Sequence, residues 1–310
     1  MKKLFLLDAM ALIYRAHFAL SKSPRVSSKG LNTSASFGFT NTLLEVLQKE
    51  KPTHIAVGFD LPGPTFRHEQ FTEYKAHRQE QPEDITINIP YIRRIIEGFG
   101  IPILEKPGYE ADDIIGTVAT EAGKRGFNAY MMTSDKDYGQ LVNENVFIYK
   151  PAFMGNAAEV LDAEKVKLKF GISSVDQVRD ILGLMGDAVD NIPGIPGIGE
   201  KTAQKLIAEF GSVENLIANV DKLKGKQQEN VQNFAQQGIM SKELATIITN
   251  VPVEFNEEAL LYSGPIREKL EPLFEELEFR TLKKRVFGDD TSPSGENATS
   301  TQKSSSQSSK

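Results

Sequence analysis

In the first half of the chain, short apolar runs alternate with segments of helical periodicity, and few folds accept that alternation. It is the pattern of a parallel sheet wrapped by helices. Candidate strands run over Lys3–Leu7, His54–Phe59, Ile101–Leu104, Asn128–Met132 and Val146–Tyr149. Between them, Ser34 is placed to cap a helix carrying Phe37, Leu43, Leu44 and Leu47, and Ala111, Ile114, Ile115, Val118 and Ala122 mark the buried face of another. The fold class expected is α/β.

From about Leu161 the pattern changes. Strand signals stop, and helical segments recur over Ala203–Phe210, Val213–Val220 and Ser241–Thr249, separated by polar or glycine-rich joints. The stretch Arg67–Arg94, interrupted by Pro82 and Pro90, reads as a long insertion between the second and third strands. Asp289–Lys310 holds eight serines and no large apolar side chain, so burial cannot offset its ordering entropy. The expected division is an α/β core over 1–160 with its insertion at about 62–95, a helical region over 161–288, and a disordered Ser-rich tail or linker over 289–310.

Acids follow the strands one after another. Asp8 ends the first, Asp60 the second, Glu110, Asp112 and Asp113 follow the third, and Asp135 and Asp137 the fourth. Open parallel sheets bind ligands at that edge. A single Asp there is an ordinary turn former or helix cap, but three acids in one helical turn exceed what capping needs. Two unit charges 4 Å apart repel by about 4 kcal/mol at an effective dielectric near 20. Converging carboxylates therefore call for cations, and oxygen donors select Mg²⁺ or Mn²⁺, with enough acids for two or more ions. Asp187 and Asp190, at the start of the helical region, are a plausible second half of the cluster.

Composition narrows the chemistry further. The chain has no cysteine, which removes disulfides, thiolate zinc sites and Cys nucleophiles, and its four histidines have no HExxH spacing. The formal charge is −6, from 36 Lys+Arg against 42 Asp+Glu. With the nine acids set aside, the remainder is weakly basic and can face phosphates. No stretch approaches the roughly 18 apolar residues of a membrane span, and a cytoplasmic protein is expected. No GxSxG elbow is present, and Met10 stands where a haloacid-dehalogenase-like phosphatase has its second acid.

GIPGIGEKT, from Gly194 to Thr202, is not a P-loop, because Glu200 separates the last glycine from Lys201. Gly194, Gly197 and Gly199 either offer backbone N–H groups to a nucleic-acid phosphate or simply turn one helix into the next, and the residues alone leave both open. In the insertion, Tyr74, Lys75 and Arg78 form a helical face able to stack on a base and hold a phosphate.

These motifs together resemble the 5′-nuclease superfamily, most closely the N-terminal 5′ to 3′ exonuclease domain of bacterial DNA polymerase I. FLLDAMALIYRAHFAL, AVGFD, FRHEQFTEYKAHR, GYEADDIIGTVA, SDKD, GDAVDNIPGIPGIGEKTA and EFRTLKKRV carry the resemblance over about Lys2–Gly288. It implies a PIN-like nuclease core with a helical arch insertion and a helix-hairpin-helix-like DNA-binding region. Asp8, Asp60, Glu110, Asp112 and Asp113 are implied to surround a first metal, and Asp135, Asp137, Asp187 and Asp190 a second. Tyr74, Lys75 and Arg78 match arch residues at the scissile phosphate, and Arg15 and Arg67 match further basic positions. Gly194, Gly197, Gly199, Lys201 and Thr202 match the element that grips duplex backbone, often with a monovalent cation such as K⁺. The implied activity is metal-dependent 5′ to 3′ exonuclease and 5′-flap endonuclease, with branched, nicked or 5′-flap DNA and RNA-DNA primer junctions as partners. A silent DNA-binding module and a PIN-like ribonuclease are the alternatives. The end of the match resembles the passage of polymerase I into its further regions, so continuity with a polymerase is expected.

Overall fold

The computed structural model describes residues 2–153 and 155–288; the tail expected over 289–310 lies outside them. Six strands form one sheet: β1 (Lys2–Asp8), β2 (His54–Gly58), β3 (Ile103–Leu104), β4 (Phe127–Met132), β5 (Val146–Lys150) and β6 (Glu159–Leu161). Their order is β3-β2-β1-β4-β5-β6, all parallel except β6, which runs antiparallel to β5. β1 is apolar without alternation because both its faces are covered: Leu4 and Leu6 pack into one layer and Phe5 and Leu7 into the other.

Helices α1 (Ala9–Leu20), α2 (Ser34–Lys49), α3 (Phe66–Gln70), α4 (Glu83–Gly98) and α5 (Ala111–Lys124) belong to the first half. The Phe5 and Leu7 face is covered by α1, α2 and α4, and the Leu4 and Leu6 face by α5. The second half contributes α6 (Ala163–Phe170), α7 (Val178–Met185), α8 (Glu200–Phe210), α9 (Val213–Ala218), α10 (Gly225–Asn233) and α11 (Ala235–Ala245), whose apolar residues extend the α5 layer. After α12 (Glu257–Leu260), α13 (Arg267–Glu276) and α14 (Arg280–Phe287) cross to the opposite face, where Leu270, Leu273 and Phe274 pack with α2 and α4. Among the described residues no helix is long and apolar enough to cross a membrane.

Several expectations need correction. Thr33, not Ser34, precedes α2, and the Ser34 hydroxyl accepts from the Arg25 amide. The third strand is shorter than expected because Pro102 has no N–H for the ladder; its carbonyl still accepts from Val57. Pro90 lies inside α4 on an exposed side, where the carbonyl it leaves unpaired meets water rather than the core. Strand β6 is too short to leave a pattern. The helix expected over Ser241–Thr249 ends at Ala245, because the backbone beyond it bonds to side chains of the first half. The face expected to carry Tyr74, Lys75 and Arg78 is not helical: α3 stops at Gln70 and the chain continues in turns.

Candidate active site

The chain leaves β1 toward β2 and β3 on one side and returns through β4 and β5 on the other. Connections therefore diverge between β1 and β4, which is where an open parallel sheet forms a crevice at its carboxyl edge. Asp8 closes β1 there and Asp135 follows β4. A cleft of about 280 Å³ opens between them, lined by Asp8, Asp60, Glu110, Asp112, Asp135, Asp137 and Asp190 with Tyr74, Lys75 and Arg78. Seven of the nine acids thus meet.

The other two face elsewhere. Asp113 has no exposed surface and accepts from Arg67 through both oxygens, at 2.7 and 2.8 Å, and from the Ile248 amide at 3.0 Å. Arg67 is 1% exposed; it also reaches Glu110 at 3.4 Å and donates to the carbonyls of Leu244 and Thr246 at 2.9 Å. These two residues form a buried brace at the wall of the cleft, which Arg67 also lines; with their oxygens and donors taken by each other and by backbone, the expected metal contact of Asp113 and DNA contact of Arg67 do not fit this geometry. Asp187 does not line the cleft but lies near Asp135 and Asp137, whose carboxyls its charge raises; it pairs with Lys136 at 3.2 Å and accepts from the Val189 amide at 2.8 Å.

The cleft acids divide by their partners. Burial pushes Glu110 up, but Lys75, 2.7 Å away, and Arg67 outweigh it and hold the carboxyl below its usual value. Tyr74 donates to Glu110 at 3.0 Å and to Asp190 at 3.3 Å, and Arg78 lies 2.5 Å from Asp190. Among the described residues, Asp8 accepts from neutral donors: the Ala11 amide at 3.1 Å, Thr133 at 3.0 Å and Tyr138 at 3.4 Å. Burial, with Asp60 and Asp135 nearby, pushes it up to about 6. Asp60 is raised by burial against a hydrogen bond from the Ala111 amide. Asp112 is raised by burial and by the charge of Asp113, Asp137 by burial and by Asp135, and Asp135 by burial.

Among the described residues no three carboxylates converge closely enough to hold an ion as they stand. Their chemistry nevertheless fits a hard cation. The donors on the Asp8, Asp135 and Asp137 side are all oxygen, their ionisation is opposed by burial, and among the described residues Asp137 Oδ1 is buried without a hydrogen-bond partner. Lys75 and Arg78 supply the neutralising charge on the other side.

The remaining site expectations lie away from the cleft. Arg15 donates to the Ala152 carbonyl and stacks 4.6 Å from the Phe153 ring, beside a groove between α1 and α2. Gly194 is buried at φ +61°, where an added Cβ would sit 2.4 Å from the Gly186 nitrogen, so its role is close packing of two loops. Gly197 and Gly199 are exposed at the start of α8 with Lys201, and a Cβ at Gly199 would meet open space; Thr202 donates its amide to the Gly199 carbonyl at 3.0 Å. Thr133, Tyr138 and the brace role of Arg67 escaped the sequence reading. An internal hydroxyl directly after an apolar strand was the one available signal for Thr133.

Two family models match most of this architecture, up to residue 268. "5'-3' exonuclease, N-terminal resolvase-like domain" matches residues 3–171, and "5'-3' exonuclease, C-terminal SAM fold" matches 173–268. A 5'-3' exonuclease of Aquifex aeolicus is 39% identical over 286 residues, 92% of this chain and 96% of that protein. DNA polymerase I of Bacillus subtilis is 43% identical over 290 residues, 93% of this chain but 32% of the polymerase. The chain thus spans about a third of the polymerases it matches. Among solved structures, T5 5'-exonuclease with bound zinc aligns with a TM-score of 0.64 at 22% identity, covering 90% of this chain and 99% of that one. The catalytic core of Rad2 in complex with DNA substrate aligns at 0.59 and 17%, covering 92% and 91%. At such identities these two speak for the fold.

Proposed function

Because the chain belongs to the 5′-3′ exonuclease family and is a hydrolytic nuclease, we propose that it cleaves phosphodiester bonds of DNA near a 5′ end or at a 5′ flap, using divalent ions held at the acidic cleft. The supporting observation is the row of carboxylates opening into one cleft at the switch point of the sheet, with Asp137 Oδ1 lacking a hydrogen-bond partner among the described residues. Asp8, Asp60, Glu110, Asp112, Asp135, Asp137 and Asp190 are the residues that would hold Mg²⁺ or Mn²⁺, and their number suits two ions. Such ions activate water for attack on phosphorus and stabilise a leaving oxygen. Lys75 and Arg78, at the cleft mouth, stabilise charge on the phosphate, and Tyr74 holds Glu110 and Asp190 in place. Gly197, Gly199 and Lys201 lie where a duplex can approach the start of α8, with K⁺ as the monovalent ion there. Substrates would include nicked and flapped DNA and RNA-DNA primer junctions, with roles in primer removal, nick translation and repair. By likeness to DNA polymerase I, the chain would be continuous with a polymerase.

The test is a 5′-flap DNA substrate incubated with and without Mg²⁺, with products sized on a gel. Cleavage near the flap junction that EDTA abolishes and Mn²⁺ restores is the expected result. Full activity after dialysis into chelator excludes the metal mechanism, and binding without cleavage in Mg²⁺ leaves a silent DNA-binding module.

A further inference from the structure

Two non-glycine residues of the site hold left-handed backbone, Lys75 at φ +59° and Asn191 at φ +56°. Such a conformation is costly for a side chain with a Cβ and persists where surrounding contacts over-determine it. The two residues face each other. Lys75 donates its amide to the Asp190 carbonyl at 2.9 Å, and the Asn191 carboxamide donates to the Glu73 carbonyl at 2.6 Å. These bonds tie the turn that carries Tyr74, Lys75 and Arg78 to the loop after α7, across more than 100 residues of sequence. Tyr74, 4% exposed and bonded to Glu110, anchors the middle of the turn; Glu73 and Ala76 on either side of Tyr74 and Lys75 are exposed, and the turn lies between α3, which ends at Gln70, and α4, which begins at Glu83.

We infer that Asn191 is a positioning residue for the reaction: it clasps the Glu73 carbonyl so that the turn presents Lys75 and Arg78 over the acidic cleft. Asn suits the position twice. It is among the few residues that tolerate left-handed backbone, and its side chain supplies the donor that an Asp at the same place lacks. The clasp itself is independent of the nuclease reading, whereas its importance for cleavage rests on that reading.

Asn191→Gly keeps the backbone freedom and removes only the carboxamide, so the loop is not strained by the change. Two readouts separate the possibilities. Amide hydrogen exchange on the metal-free, full chain should quicken at least about tenfold over residues 73–78 in the variant, while β1 and β4 stay unchanged. Unchanged exchange over 73–78 overturns the proposal whatever the protein cleaves. In single-turnover cleavage of a 5′-flap substrate with Mg²⁺, Asn191→Gly should lower the rate about tenfold or more with affinity, measured in Ca²⁺, within about twofold. In a Lys75→Ala, Arg78→Ala background the same change should have no further effect. A loss of equal size in that background shows a merely structural role and overturns the positioning claim. Failure of the unaltered chain to cleave any flap substrate is a separate result, which removes the proposed function and with it the catalytic half of this inference, while the exchange data still decide whether the clasp exists.

Discussion

Asp112 and Asp113 are neighbours in the chain and opposites in environment. Asp113 turns inward, where a guanidinium and two backbone amides occupy its oxygens. Asp112 turns toward the cleft, and its carboxyl is raised well above the usual range by burial and by Asp113 itself. The same contrast divides the cleft: Glu110 and Asp190 are paired with Lys75 and Arg78, whereas among the described residues Asp8 and Asp137 have no cation within ion-pair distance, although Lys136 next to Asp137 lowers it somewhat. A carboxylate with its counter-charge built in stabilises the fold, and one without it is held in readiness for something positive. Counting acids in a sequence does not separate the two.

The sharpest way to break this division is to neutralise an uncompensated acid. Asp135→Asn should lower single-turnover cleavage by orders of magnitude, yet leave flap DNA binding in Ca²⁺ intact and raise the melting temperature of the metal-free protein by relieving repulsion. A fall in melting temperature would place Asp135 on the structural side. Asp113→Ala should do the reverse. Leaving Arg67 buried without its partner costs about 3–5 kcal/mol, read as a lowered denaturation midpoint. An equally stable variant would mean that Arg67 is not held as described.

Protons offer a milder test. Because burial raises Asp8 to about 6 in the folded chain, the folded form binds a proton more readily than the unfolded one. The contribution of Asp8 to stability is therefore complete below its ordinary value near 4 and is lost as pH rises through 6. Thermal melts of Asp8→Asn and the unaltered chain, both metal-free, should diverge over that window, with the unaltered chain losing more; saturating Ca²⁺ should close the gap. Parallel curves would remove Asp8 from the uncompensated set. The smallest effect is expected at the start of α8. Gly199→Val meets open space in the free protein, so the fold should be unperturbed, while duplex binding weakens and its log–log salt slope becomes shallower by up to about one unit. Unchanged duplex binding would make the turn only a joint between helices.

The sheet was legible because strands buried on both faces leave continuous apolar runs, as in Leu4–Leu7, and because the acids end those runs. The convergence of Asp8, Asp60, Asp112 and Asp135 followed from topology. What could not be read was direction. Nothing in the local sequence tells Asp113 from Asp112, since the difference is made by Arg67 and by backbone from residues 244–248. Tyr74, Lys75 and Arg78 line the same cleft, but their spacing suggested a helix, whereas bonds to Asp190 and Asn191 hold a turn. In each case the deciding partner lies far away in the chain.

That distance sets an order of events during synthesis. Arg67 reaches the Leu244 carbonyl across 177 residues, and the Ile248 amide reaches Asp113 across 135. Closing loops of this length is entropically uphill until the contacts at their ends form, and a chain emerging from the ribosome cannot close them before their second half exists. A nascent chain can pair β1, β2 and β4 early, yet its cleft stays unbraced until Ile248 has emerged. The cleft is thus complete only when nearly all of the described fold has been translated.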